Sequence, residues 1–131
     1  DGRVVSNFIV QALENNPITI YGDGSQTRSF CYVDDLIEGL ILLMSTNIQG
    51  PINLGNPSEL KIIDLAKKIR IKINPNIRFI KTKLPQDDPS RRKPNIDLAK
   101  NELKWMPTIS INEGLDKTIS YYKKYLNQDD H

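Results

Sequence analysis

The sequence predicts an α/β fold in which short strands are set among several helices. Three observations carry that expectation. Apolar residues recur at helical spacing in five separate segments, short apolar or alternating runs stand between them, and Gly, Pro and Asn clusters punctuate the joins. The pattern leaves strand order open, so α+β is the neighbouring class it does not separate. With 131 residues the chain is one domain or part of one. The expected domain spans residues 1–126, and residues 127–131 form a frayed tail.

Val5, Phe8, Ile9, Ala12 and Leu13 predict a first amphipathic helix, ended by Asn15-Asn16-Pro17 because proline cannot continue the hydrogen-bond ladder. Ile18 to Tyr21 is a short apolar strand. Gly22 and Gly24 mark a sharp turn, and a second extended run, with Cys31 as a buried thiol, returns from Arg28 to Tyr32. Asp34 and Asp35 open a second helix. Its Leu36, Ile37, Leu40, Ile41 and Met44, with Leu42 and Leu43, make it apolar nearly all round, so it is expected to be largely buried. Gly50-Pro51 closes it, and Ile52-Asn53-Leu54 reads as a brief strand. Ile62, Leu65, Ala66 and Ile69 form the inner face of a third helix, with Lys61, Lys67 and Lys68 on a solvated face. Ile77 to Ile80 alternates like a half-buried strand. Residues 82–95 form a polar, proline-rich loop. Ile96, Ala99 and Leu103 suggest a short helix, with Trp105 packed after it. Ser110 and Glu113 match a capping box that starts the last helix, with Leu115, Ile119, Tyr122 and Leu126 on its apolar face.

Composition narrows the function. Hydrophobic content of 38% and charged content of 26% belong to an ordinary folded protein. A net charge of +2, with basic and acidic residues interleaved, offers no basic face for nucleic acid. No apolar run approaches the roughly 18–20 residues of a membrane helix. One cysteine and one histidine, Cys31 and His131, argue against an internal disulfide, a zinc pattern and a histidine-based triad. No metal site is expected.

Three basic positions bear on function. The tight loop Tyr21 to Arg28 presents one Arg beside backbone donors, which suits a phosphate; a hairpin with one solvated Arg is the plainer alternative. The run Arg91-Arg92-Lys93 is either a second anion contact or a solvated charge run. Arg3 lies near the start of the first helix, where a cation opposes the helix dipole. It is either a functional charge or part of a frayed end.

The order of these features is informative. Tyr21-Gly22-Asp23-Gly24-Ser25-Gln26-Thr27-Arg28 resembles the YGxGxQxR segment of the extended short-chain dehydrogenase/reductase enzymes that act on nucleotide sugars, the NAD-dependent epimerase/dehydratase family. Asp1 to Ile9, Pro51 to Pro57, Asp87 to Pro94 and Leu103 to Pro107 resemble further family stretches, in the family's order. Within the family the chain is most similar to UDP-glucuronate decarboxylases. The resemblance implies the C-terminal, sugar-nucleotide-binding portion of such an enzyme. It implies that the Rossmann half, its bound NAD and the Tyr/Lys proton-transfer pair are supplied by a missing N-terminal portion. This chain has no glycine-rich dinucleotide fingerprint and no Tyr-x-x-x-Lys pair, and it starts at Asp1 rather than Met. The fragment alone is therefore expected to be inactive.

The implied reaction is oxidation of UDP-glucuronate at C4 with NAD, loss of carbon dioxide from the β-keto acid, and hydride return to give UDP-xylose. The family's other reactions, 4,6-dehydration and 4-epimerisation, and a non-catalytic nucleotide-sugar module are the alternatives. The resemblance places Arg28 and Arg92 around the UDP diphosphate, with Val5, Ser6, Tyr21 and Gln26 near the nucleoside. It places Arg3 near the sugar carboxylate as the residue with a direct part in the chemistry, by electrostatic positioning. No residue of this segment is assigned to the cofactor. The resemblance further implies a homodimeric whole enzyme, in the cytoplasm or, in eukaryotes, the Golgi lumen. Three positions depart from the family pattern: Asn95 for a usual Asp, Lys104 for a common Gly, and Lys61 for a helix-capping Thr.

Overall fold

The computed structural model describes residues 2–47, 51–84 and 94–129. The elements run α1 (Gly2–Leu13), β1 (Ile18–Tyr21), β2 (Thr27–Arg28), α2 (Val33–Met44), β3 (Leu60–Lys61), α3 (Ile62–Ile73), β4 (Phe79–Thr82), a π-helical segment (Ala99–Leu103) and α4 (Ile111–Asp129). Helices and short strands mix as the α/β class requires. Among the described residues the strands form two small sheets, β1 with β4 and β2 with β3.

Helix α1 buries Phe8, Ile9 and Ala12. It ends in a Schellman closure. Asn15 takes the left-handed conformation at φ 62°. Its N–H donates to the Ala12 carbonyl at 3.1 Å, and the Asn16 N–H donates to that of Gln11 at 2.8 Å. The Gln11 side chain then locks α1 to β1. Its Nε2 donates to Thr19 Oγ1 at 3.2 Å, and its Oε1 accepts the Thr19 N–H at 3.1 Å.

Strand β1 pairs in parallel with β4, Ile18 opposite Phe79 and Tyr21 opposite Thr82. Ile18 and Ile20, two residues apart, share one face and are fully buried. They meet α1, α3 and α4 in the larger core, which includes Leu65, Ala66, Ile69, Leu115 and Ile119. The strand expected at Ile77 to Ile80 starts two residues later. Ile77 is buried ahead of it, and the Arg70 guanidinium lies 3.9 Å from the centre of the Phe79 ring.

The extended run expected from Arg28 to Tyr32 is shorter, and it does not fold back on β1. Strand β2 comprises Thr27 and Arg28 alone and pairs antiparallel with β3, Arg28 opposite Leu60. Gly22 and Gly24, at φ 65° and 75°, turn the chain away from β1. The loop instead caps α3: the Ile63 N–H donates to the Gly24 carbonyl and the Ile62 N–H to the Gln26 carbonyl, both at 2.9 Å. Lys61 stands at the α3 N-cap without a side-chain cap bond. Loop carbonyls therefore satisfy first-turn N–H groups that a Thr or Ser cap would serve elsewhere.

Helix α2 corrects a second expectation. It is not largely buried: Ile37, Leu40, Ile41 and Met44 are exposed. A helix that is apolar all round needs cover on every side. The described residues cover the side of Leu42 and Leu43, which pack on the smaller core of Ile96, Ala99, Leu103 and Trp105. A Cβ on Gly39 would lie 3.0 Å from Leu54 and 3.1 Å from Trp105, so glycine there lets both side chains pack closely on the helix. Ile52-Asn53-Leu54 is irregular rather than a strand, with Ile52 and Leu54 packed on this core.

The short helix before Trp105 is the π-helical segment, closed by Lys104 in the left-handed conformation at φ 56°. Asn95 Oδ1 accepts the Asp97 N–H at 3.0 Å, so Asn closes a turn just ahead of this segment. Ser110 Oγ accepts the Glu113 N–H at 3.1 Å, one arm of the expected capping box.

Candidate functional site

Side-chain and backbone bonds hold the loop between β1 and β2. Gln26 is buried, and its Nε2 donates to the Tyr21 carbonyl at 3.2 Å across the loop. Ser25 donates its N–H to Asp23 Oδ1 at 2.9 Å. Hydrogen bonds from the Ser25 side chain, then from its backbone, hold the exposed Asp23 carboxyl below the usual carboxylate range. Arg28 is 7% exposed, which overturns the solvated-hairpin alternative. Its Nη1 donates to the Thr27 carbonyl at 2.7 Å.

Directly after Arg28 the chain forms one wall of a cavity of about 700 Å³. Ser29, Phe30, Cys31, Tyr32 and Val33 make that wall. Val5 of α1 contributes from the side. Gly55, Asn56 and Pro94 form a second wall, and Ile109 to Ile111 with Tyr121 and Tyr122 of α4 form a third. A volume of this order matches the range for small-molecule sites. The described lining is apolar and aromatic, with Ser29, Asn56, Ser110 and Thr118 as polar points and no charged side chain. Tyr121 meets Tyr122 edge-on at 5.5 Å and stacks on Tyr125 at 6.5 Å, so the aromatic edge of α4 is ordered by its own rings. The Lys117 ammonium lies 5.8 Å from the centre of the Tyr32 ring.

Cys31 lies in irregular chain rather than in a strand, and it is half-buried at the cavity wall. Its thiol is pushed up to about 11, mainly by burial and secondarily by the negative charge of Asp35. It is a poor nucleophile at neutral pH.

Of the residues expected at the site, Val5 lines the cavity and Arg28 adjoins it through Ser29. Arg3, Ser6, Tyr21 and Gln26 are not part of the lining. Ser6 Oγ donates to the Arg3 carbonyl at 3.1 Å, so these two are joined at the exposed start of α1. Arg92 lies outside the described residues, as does the rest of the run Arg91-Arg92-Lys93. Sequence reasoning missed the aromatic walls. Phe30 and Tyr32 alternate along the chain and Tyr121-Tyr122 are adjacent. Both patterns read equally well as strand or helix packing.

Among the described residues no cluster of His, Cys, Asp or Glu could hold a metal ion, and no helix is long and apolar enough to cross a membrane. Strand β1 leads through its glycine turn into β2, not into a helix whose N-terminus could face a pyrophosphate.

Residues 1–55 match the family described as "NAD dependent epimerase/dehydratase family". The chain is 47% identical over 131 residues to UDP-glucuronic acid decarboxylase 1 of Arabidopsis thaliana, covering 99% of this chain and 30% of that protein. It is 50% identical over 128 residues to UDP-glucuronic acid decarboxylase 1 of Danio rerio, covering 96% of this chain and 30% of the relative. The fold superposes on UDP-glucuronic acid 4-epimerase from Bacillus cereus, solved in complex with UDP-glucuronic acid and NAD, with a TM-score of 0.87 and 30% identity. That match covers 93% of this chain and 40% of the other. The chain thus spans about a third of the length of these relatives. It matches the NAD dependent epimerase/dehydratase family through residues 1–55 and is similar to UDP-glucuronic acid decarboxylases along nearly its whole length.

Proposed function

We propose that this chain is the UDP-sugar-binding part of an NAD-dependent UDP-glucuronate decarboxylase, which converts UDP-glucuronate to UDP-xylose and carbon dioxide. The observation that carries the reading is the 47% and 50% identity to plant and fish UDP-glucuronic acid decarboxylases over nearly all of this chain. When bound, NAD would supply the hydride acceptor and donor for C4, and it would be held by a part of the whole protein other than these residues.

This chain's task is to bind and orient the substrate. The aromatic cavity offers flat, apolar faces to a base or sugar ring. Its described lining has no charge to meet a diphosphate, so the diphosphate lies toward Arg28; Arg92 is the second guanidinium that the family resemblance assigns to it. Paired guanidiniums suit that role because each offers planar, two-pronged donors. Val5 borders the nucleoside from α1. Tyr21 and Gln26 shape the loop, Gln26 through its bond to the Tyr21 carbonyl. Ser6, one residue on from Val5, borders the nucleoside with it, and Arg3 faces the sugar carboxylate and steadies its charge. A guanidinium acts there by positioning charge rather than by transferring a proton. The whole enzyme works as a homodimer in the cytoplasm, or in the Golgi lumen of a eukaryote.

Titrating UDP into the whole protein by calorimetry tests the binding assignment. Arg28→Ala and Arg92→Ala should each weaken binding by about 1–3 kcal/mol, the loss of a charge-assisted contact. Unchanged affinity in both variants sinks the diphosphate clamp. A second reading, a 4-epimerase acting on UDP-glucuronate, is favoured by the TM-score of 0.87 to the Bacillus cereus enzyme. Epimerisation conserves mass, so loss of the carboxyl group separates the two.

A further inference from the structure

Asp35 is 2% exposed, and its carboxylate is spent far along the chain. Oδ2 accepts the N–H groups of Thr108 at 3.1 Å and Ile109 at 3.0 Å, and Oδ1 accepts the Thr108 hydroxyl at 3.1 Å. An acid in the first turn of a helix ordinarily serves that helix's own N-terminus. Asp34 stands in the same turn and is exposed, whereas Asp35 turns inward and bridges 73 and 74 residues of sequence. The main-chain carbonyl of Asp35 accepts the Trp105 indole N–H at 2.9 Å, so the segment after the π-helical turn is tied twice to one residue. A buried carboxylate persists only where donors converge on it, and three do here.

The two ends of this tie are walls of the cavity. Tyr32, Val33 and Leu36 flank Asp35 on one side, and Ile109, Ser110 and Ile111 begin where its hydrogen bonds end. We propose that Asp35 is a positioning residue that sets the spacing between these two walls and so determines how tightly a UDP-sugar is held. This rests on the UDP-sugar reading of the cavity. Asp35 touches no ligand in this scheme; it acts through Thr108 and Ile109.

The test is made in the whole protein, with UDP as the binding probe and UDP-glucuronate as substrate. Asp35→Ala removes all three acceptors. It should raise the Kd for UDP and the KM for UDP-glucuronate roughly tenfold, the scale of cost for displaced positioning groups. It should leave kcat within about twofold, the signature of lost uniform binding. Asp35→Asn should restore both constants to near wild type, because its Oδ1 can accept both N–H groups while its Nδ2 donates to Thr108 Oγ1. If Asp35→Ala does not fold, Thr108→Val decides, since it removes only the hydroxyl donor at an exposed position. It should raise KM and Kd about threefold, roughly one weak hydrogen bond. A folded Asp35→Ala, or in its absence a Thr108→Val, with unchanged Kd and KM overturns the proposal alone. Wild-type protein that takes up no UDP overturns the UDP-sugar reading and this proposal with it.

Discussion

The Ile63 N–H donates to the Gly24 carbonyl at 2.9 Å, and a Cβ built on Gly24 would lie 2.8 Å from the Cβ of Ile63. The turn of the β1–β2 loop is thus pressed against the first turn of α3, with no room for a side chain. This contact holds the loop that ends in Arg28 and leads into the cavity wall.

Gly24→Ala should therefore cost about 2–5 kcal/mol, the sum of a left-handed Ala and an overpacked contact. Gly22→Ala is the control. Its φ is also positive, but the nearest atom, on Leu84, is at an ordinary 3.4 Å, so it should cost only about 1–2 kcal/mol. Urea unfolding of the whole protein measures both. Equal costs would show that crowding against Ile63 is unimportant.

Lys104 holds φ 56° and ψ 33° while its N–H closes on the Ala99 carbonyl. Lys104→Gly removes the steric cost of that conformation and adds back some chain entropy. A net gain of about 0.5–1 kcal/mol in unfolding free energy is expected. A loss of stability would mean that the Lys side chain contributes packing that outweighs its strain.

The raised Cys31 pKa has two consequences. Alkylation by iodoacetamide should stay slow through neutral pH and rise with a midpoint at about 11. The reference thiol releases its proton near 9.0 and the folded one at about 11, so between these values the folded chain binds more protons than the unfolded chain. Stability therefore falls as pH rises through that window, and Cys31→Ser should flatten this part of the pH–stability curve. Rapid alkylation near neutral pH would contradict the assignment.

Periodicity made the helices legible. The spacing of Phe8, Ile9 and Ala12, and of Leu65, Ala66 and Ile69, is the buried face found in α1 and α3. The Ser110–Glu113 cap marked the start of α4. The pairing of β2 with β3 was not legible, because two-residue strands carry no alternation to read. Arg28 pairs with Leu60 through a loop whose direction depends on glycine torsions and on contact with Ile63. The exposure of α2 was hidden for another reason: apolar content states a need for cover, not what supplies it. At the cavity, Val5 was named from the family resemblance alone, and the loop Tyr21 to Arg28 leads into the wall without lining it. The role of Asp35 was not legible, since an acidic pair at a helix start gives no sign that one carboxylate reaches residues 108 and 109.

Incubating the whole protein with UDP-glucuronate and NAD and identifying the product by mass spectrometry separates decarboxylation from epimerisation. A decarboxylase yields UDP-xylose, lighter than the substrate by one carbon dioxide, and this is the expected product. Arg3→Ala should depress this conversion more than it weakens UDP binding. A product of unchanged mass with inverted C4, or substrate recovered intact while UDP still binds, would contradict the decarboxylase assignment.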